Sequence, residues 1–137
     1  MNDLISIGQL ENFLAKTITK FYSQSIGRGP LETKVYLIAD MLIVRFKGKL
    51  LPIEEKLLEN NGGIGLVKNI RNMIHENVTV KISEIVEQTT GCKVLSSHSD
   101  VSTKTGEMIE IFILNTNYEK ELKIRLAAKK VGTSIQT

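Results

Sequence analysis

The segment from Gly65 to Gly91 constrains the fold more than any other, because its apolar residues hold a helical period longest. Val67, Ile70, Ile74, Val78, Ile82, Ile85 and Thr89 follow one another at steps of three or four, the spacing of one helix face. Gly91 supplies a residue that turns left-handed where the helix stops. At about 1.5 Å per residue this helix spans roughly 40 Å, enough to cross a small domain. One residue breaks the stripe. Arg71 falls inside the apolar arc, between Val67 and Val78, and a guanidinium held against a core needs an acceptor. Glu54 is the carboxylate we pair with it, in a contact that would lock the preceding short helix against the long one. A role for Arg71 in holding a ligand is the alternative.

The 137 residues suit one domain, and the 42% hydrophobic content is enough for a core. No run approaches the roughly 20 apolar residues of a membrane span. The start, Met1-Asn2-Asp3, lacks the basic end and apolar stretch of a signal peptide. Cys92 is the one cysteine, so no internal disulfide forms and a cytoplasmic location is expected. The net charge of +3 is concentrated near the end, where Lys120, Lys123, Arg125, Lys129 and Lys130 outnumber Glu119 and Glu121. We divide the chain at 117, with an α+β domain over 1–117 and a basic helix or tail over 118–137. Such a tail suits an anionic partner such as RNA or a membrane surface, or is simply a solvated helix end.

Ahead of the long helix, Ser6-x-x-Gln9 has capping-box spacing and opens a first helix whose stripe is Leu10, Phe13, Leu14, Thr17, Ile18 and Phe21. Gly27-Arg28-Gly29-Pro30 ends it. Lys34 to Asp40 and Leu42 to Lys47 read as strands joined near Asp40-Met41, and Pro52 to Glu59 as a short helix begun by proline. Cys92 to Ser97 and Met108 to Asn115 read as a second strand pair around a mobile Ser99-to-Glu107 loop, and Tyr118 to Val131 as a last helix. The order α-β-β-α-α-β-β-α predicts an α+β fold of two layers, an antiparallel four-stranded sheet with helices on one face. Its edge strands would be covered by a homodimer.

Candidate functional residues are few. Gly27, Arg28 and Gly29 form either an anion-binding hollow of backbone amides or a helix stop with a rigid turn. Gly62-Gly63-Ile64-Gly65 precedes a helix but follows no strand, so an interhelix joint is the alternative to a phosphate site. His75 lies four residues after Arg71, a spacing at which the two can grip one anion. Neither His75 nor His98 has a second histidine or a cysteine at ligand spacing, so no metal is expected. Ser97, His98 and Asp100 do not make a triad, because neighbours on a strand point to opposite faces. No cofactor motif and no catalytic constellation is read.

The ordered set Gly27-Arg28-Gly29-Pro30, a hydrophobic hairpin, Leu50 with Glu54 and Leu57, Arg71, Thr90-Gly91 and a closing strand through Phe112 and Leu114 resembles the MpsC-like domain. The likeness covers about residues 10–115. It implies a small soluble bacterial protein associated with a membrane cation or inorganic-carbon transport (membrane-potential-generating) system and brings no catalytic residues with it, so the function we expect is that of a non-enzymatic accessory or regulatory domain. Residues carried over are Gly27, Arg28, Gly29, Pro30, Glu54, Arg71, Thr90 and Gly91. Leu51 stands where the family usually has threonine, which removes the side-chain cap of the short helix. The resemblance places the chain in the cytoplasm, peripheral to the inner membrane face and docked on a transport complex. A small-anion or nucleotide-binding module built on Arg28, Arg71 and His75 is the alternative function, and RNA binding by the tail the third. Few aromatic residues and no tryptophan make nucleic acid the weakest partner.

Overall fold

The computed structural model describes residues 5–136, with side chains through Val131; the start at Met1 and the final Thr137 lie outside what is described. Eight elements follow in the order α1 (Ile7–Ile26), β1 (Glu32–Ile38), β2 (Met41–Lys47), α2 (Pro52–Leu58), α3 (Gly63–Thr90), β3 (Val94–Val101), β4 (Met108–Leu114) and α4 (Tyr118–Gln136). The fold is α+β, with one antiparallel sheet in the order β1-β2-β4-β3. Two hairpins therefore meet along β2 and β4, and α2 with α3 carries the chain from one to the other.

Local chemistry explains most of the boundaries. Ser6 and Gln9 close a reciprocal capping box, each side chain accepting the other's amide. Gly27 (φ 85°) and Gly91 (φ 75°) end α1 and α3 in the left-handed region, where a side chain would be strained. Strict alternation on β2 and β4 sends Leu42, Val44, Phe46, Met108, Phe112 and Leu114 inward. There they meet Leu10, Leu14 and Ile18 of α1 and Val78, Ile82 and Val86 of α3. The first turn of α4 joins the same core through Tyr118 and Leu122, and Glu119 takes the amide of Ala39 at 2.9 Å, clamping the β1–β2 turn.

Three expectations shift. The third strand is Val94–Val101 rather than Cys92 to Ser97, so the loop expected from Ser99 shortens to a turn beyond Val101. Ser97 to Val101 pair with β4 through backbone bonds, which need no apolar side chains at a sheet edge. The last helix continues to Gln136. Most consequential, α3 is rotated from its expected face. Its buried line is Gly63, Val67, His75, Val78, Ile82, Val86 and Thr90, while Ile70 and Ile74 are 43% and 45% exposed. The start of that helix is also tightly seated. A Cβ on Gly63 would overlap the backbone carbonyl of Leu57, so glycine is what lets α2 and α3 meet this closely.

Candidate functional site

A pocket of about 310 Å³ opens between the end of α1, the Gly-Arg-Gly-Pro corner, α2 and the N-terminal half of α3. Its floor is Phe46 and Met108 from the two central strands, and its walls include Tyr22, Ile26, Leu51, Leu57 and Val67. Tyr22 stacks on Phe46 with ring centroids 4.9 Å apart. The pocket is mostly apolar, of the size and character small-ligand sites have.

Arg71 enters the wall from α3. Its Nε donates to Glu54 Oε2 at 2.7 Å and its Nη2 to Glu54 Oε1 at 2.6 Å, the bidentate geometry in which both groups are most strongly held. Nη1 donates to the Gly106 carbonyl at 3.1 Å and Nη2 to that of Lys49 at 3.2 Å. One guanidinium thus ties together α3, α2 and the loops beyond β2 and before β4. Leu51 has no side-chain oxygen with which to cap α2. Instead Glu54 Oε1 also accepts the Leu51 amide at 2.8 Å, so one carboxylate serves helix and arginine together.

The electrostatics follow. Glu54 sits below its ordinary value of 4.5, chiefly because Arg71 hydrogen-bonds the charged form, with burial opposing. A depressed carboxylate adds stability that is complete above pH 4.5 and is lost as pH falls through the lowered folded-state value. Urea midpoints measured from pH 7 down to pH 3 should therefore fall below about pH 4.5, and fall less steeply in Glu54→Gln. Asp100 and Glu119 are lowered too, so only the difference between the two proteins reports on the pair.

His75 faces elsewhere. At 2% exposure it is sealed between α3 and the sheet, its Nε2 2.9 Å from Glu110 Oε1. The hydroxyl of Thr79 donates to the other Glu110 oxygen, and His75 Nδ1 has no hydrogen-bond partner among the described residues. Arg71 and His75 therefore do not converge on one anion. The sequence missed Glu110 entirely; a lone Glu at an inward position of an otherwise apolar strand is the signal that marks it.

The corner residues divide their roles. The Gly27 amide is taken by the Ser23 carbonyl at 3.0 Å, so it caps α1 rather than facing an anion. Gly29 lies so close to Ser23 that a Cβ would meet its hydroxyl. Arg28 is exposed at the mouth of the pocket and forms no hydrogen bond or ion pair among the described residues. Tyr22, within its field, has its phenol raised by burial, while Arg71 and Arg28 pull it down. The Gly62–Gly65 joint starts α3, with the Gly63 amide on the Asn60 carbonyl at 3.0 Å. His98 meets Ser96, at 3.4 Å, and Asp100 meets Lys68, at 3.1 Å. Among the described residues no cluster of three His, Cys, Asp or Glu could hold a metal, and no helix is long and apolar enough to cross a membrane. Cys92 is buried, and burial pushes its thiol up.

The architecture defines a small α+β domain whose one-sided sheet and crossover helices enclose an apolar pocket walled by a bidentate ion pair. The chain belongs to the MpsC family, whose model, described as a Na⁺-translocating membrane potential-generating system, matches residues 6–116. It is 34% identical over 118 residues to a protein of Bacillus subtilis (strain 168) called uncharacterized protein YbcI, covering 86% of this chain and 95% of that one. No solved structure matches it.

Proposed function

We propose that this chain is a non-enzymatic accessory domain of a membrane potential-generating system, regulating it from the cytoplasmic face by binding rather than by chemistry. The observation that carries the reading is how the polar groups around the pocket are used. Arg71 is committed to Glu54 and two carbonyls, which makes the wall rigid and leaves an apolar hollow with Arg28 and Lys49, two cations without an ion pair among the described residues, at its mouth. That is the surface of a receptor, built to be occupied. The family description supplies the membrane system. Crosslinking in membranes followed by purification of the full chain should recover membrane components, and Arg28→Glu should lose most of them. A chain recovered alone under the same conditions overturns the assignment.

Arg28 also favours the second reading, a small-anion or nucleotide site. Inorganic phosphate, short carboxylates and nucleotides should then be screened by thermal shift. At about 100 Kd a true ligand adds roughly 2.7 kcal/mol, and Arg28→Ala should abolish the gain. A screen with no shift removes this reading and leaves the first intact. RNA binding through α4 has less support, because Lys123 and Arg125 already face Glu119 and Glu121 one turn away.

A further inference from the structure

The rotation of α3 leaves a second apolar line on its outer side. Leu66, Ile70, Met73 and Val80 are 46%, 43%, 68% and 61% exposed, and Asn77 lies exposed among them. Their successive spacings are four, three, four and three, the alternation of the a and d positions of a heptad. Glu84 falls at the next position and closes the line. An ordinary exposed helix face does not repeat apolar residues in this register, and the buried line of the same helix already satisfies the core. The helix needs no partner to fold, since Val78, Ile82 and Val86 are buried in the core and Arg71 ties its N-terminal half to α2. The outer line is therefore available for association alone.

We propose that this line is the seam of a parallel, in-register homodimer, two α3 helices packing along a two-fold axis. The outward residues themselves argue for a second copy. In that arrangement each apolar seam residue meets its own counterpart, and Asn77 meets Asn77. A single asparagine at an a position is the device that fixes a two-stranded, parallel, in-register pairing, because any other alignment buries its amide against hydrocarbon. The flanking charges agree. Glu76 occupies a g position and Lys81 the e position five residues later, the offset at which g and e side chains meet across a parallel pair. Both side chains are exposed, and among the described residues Lys81 meets only the solvated Glu84, at 3.3 Å, so exchanging that contact loses little. This inference does not depend on the proposed function, although Ile70 belongs to both the seam and the pocket wall.

Light scattering on the full chain at micromolar concentration should give twice the 15.3 kDa mass of one chain. Met73→Glu with Val80→Glu should give that single mass with an unchanged circular dichroism spectrum. Met73→Cys should crosslink to a covalent dimer on mild oxidation, while the parent chain, whose Cys92 is buried, should not. Glu76→Lys and Lys81→Glu should each weaken the dimer by roughly threefold to tenfold, and together restore it. These two sites lie on the surface, so they report even if the double glutamate variant fails to fold. A chain monomeric at every concentration overturns the proposal, as does a dimer indifferent to the seam glutamates. Absence of both the crosslink and the charge-swap recovery overturns the parallel register. A monomer whose seam glutamates abolish retention on membranes would assign the line to another protein's helix, and overturn the homodimer.

Discussion

Arg71→Ala should lower the unfolding free energy by about 3 kcal/mol and the melting temperature by about 10 °C. Arg71 and Glu54 keep only 18% and 11% of their side-chain surface, so removing the cation strands a carboxylate that water reaches poorly. The Gly106 and Lys49 carbonyls lose a donor in the same step. Replacing both partners should be gentler than replacing one. Arg71→Met with Glu54→Leu should recover much of the loss, because neither charge is then left behind. Urea denaturation with an unchanged slope measures all three variants. Equal damage from the double and single variants would show that the arginine stabilises through its carbonyl contacts rather than through the carboxylate.

Glu110→Ala should be among the most damaging single changes in the sheet, at about 3–5 kcal/mol. It removes the acceptor of both His75 and Thr79 at a point that is 1% exposed, and leaves a hollow between α3 and β4. Glu110→Gln keeps the shape and one acceptor oxygen, and should lose only about 1–2 kcal/mol. Chemical denaturation distinguishes them. The effect should also reach the pocket, because His75 meets the ring of Phe46 edge-on at 6.0 Å and Phe46 is its floor. Any ligand that stabilises the parent chain should therefore bind Glu110→Ala more weakly, with no contact to the altered residue.

Much of this was legible residue by residue. Ser6 with Gln9, Gly27 and Gly91 are local signals, since a cap is decided by the few residues around it. Alternation along Leu42, Val44 and Phe46 announces a strand with one covered side. Arg71 announced its need for an acceptor for an equally simple reason, that a charge sits in an apolar arc. By contrast β3 is poorly marked, because an edge strand is held by backbone bonds and its Leu-Ser-Ser-His-Ser-Asp run carries no apolar alternation.

What the chain could not announce is which side of α3 faces in. Two apolar lines run along that helix, both with helical spacing, and a period of 3.6 residues identifies a line without ranking it. The choice falls to acceptors distant in sequence. Glu54, 17 residues before Arg71, and Glu110, 35 residues after His75, take the two polar residues inward and turn Ile70 and Ile74 out. Sequence by itself determined the elements, their order and their ends, because those rest on neighbours along the chain. Only the tertiary structure decided the rotation of α3, and with it the pocket wall and the exposed seam, because a buried charge settles where its partner already is.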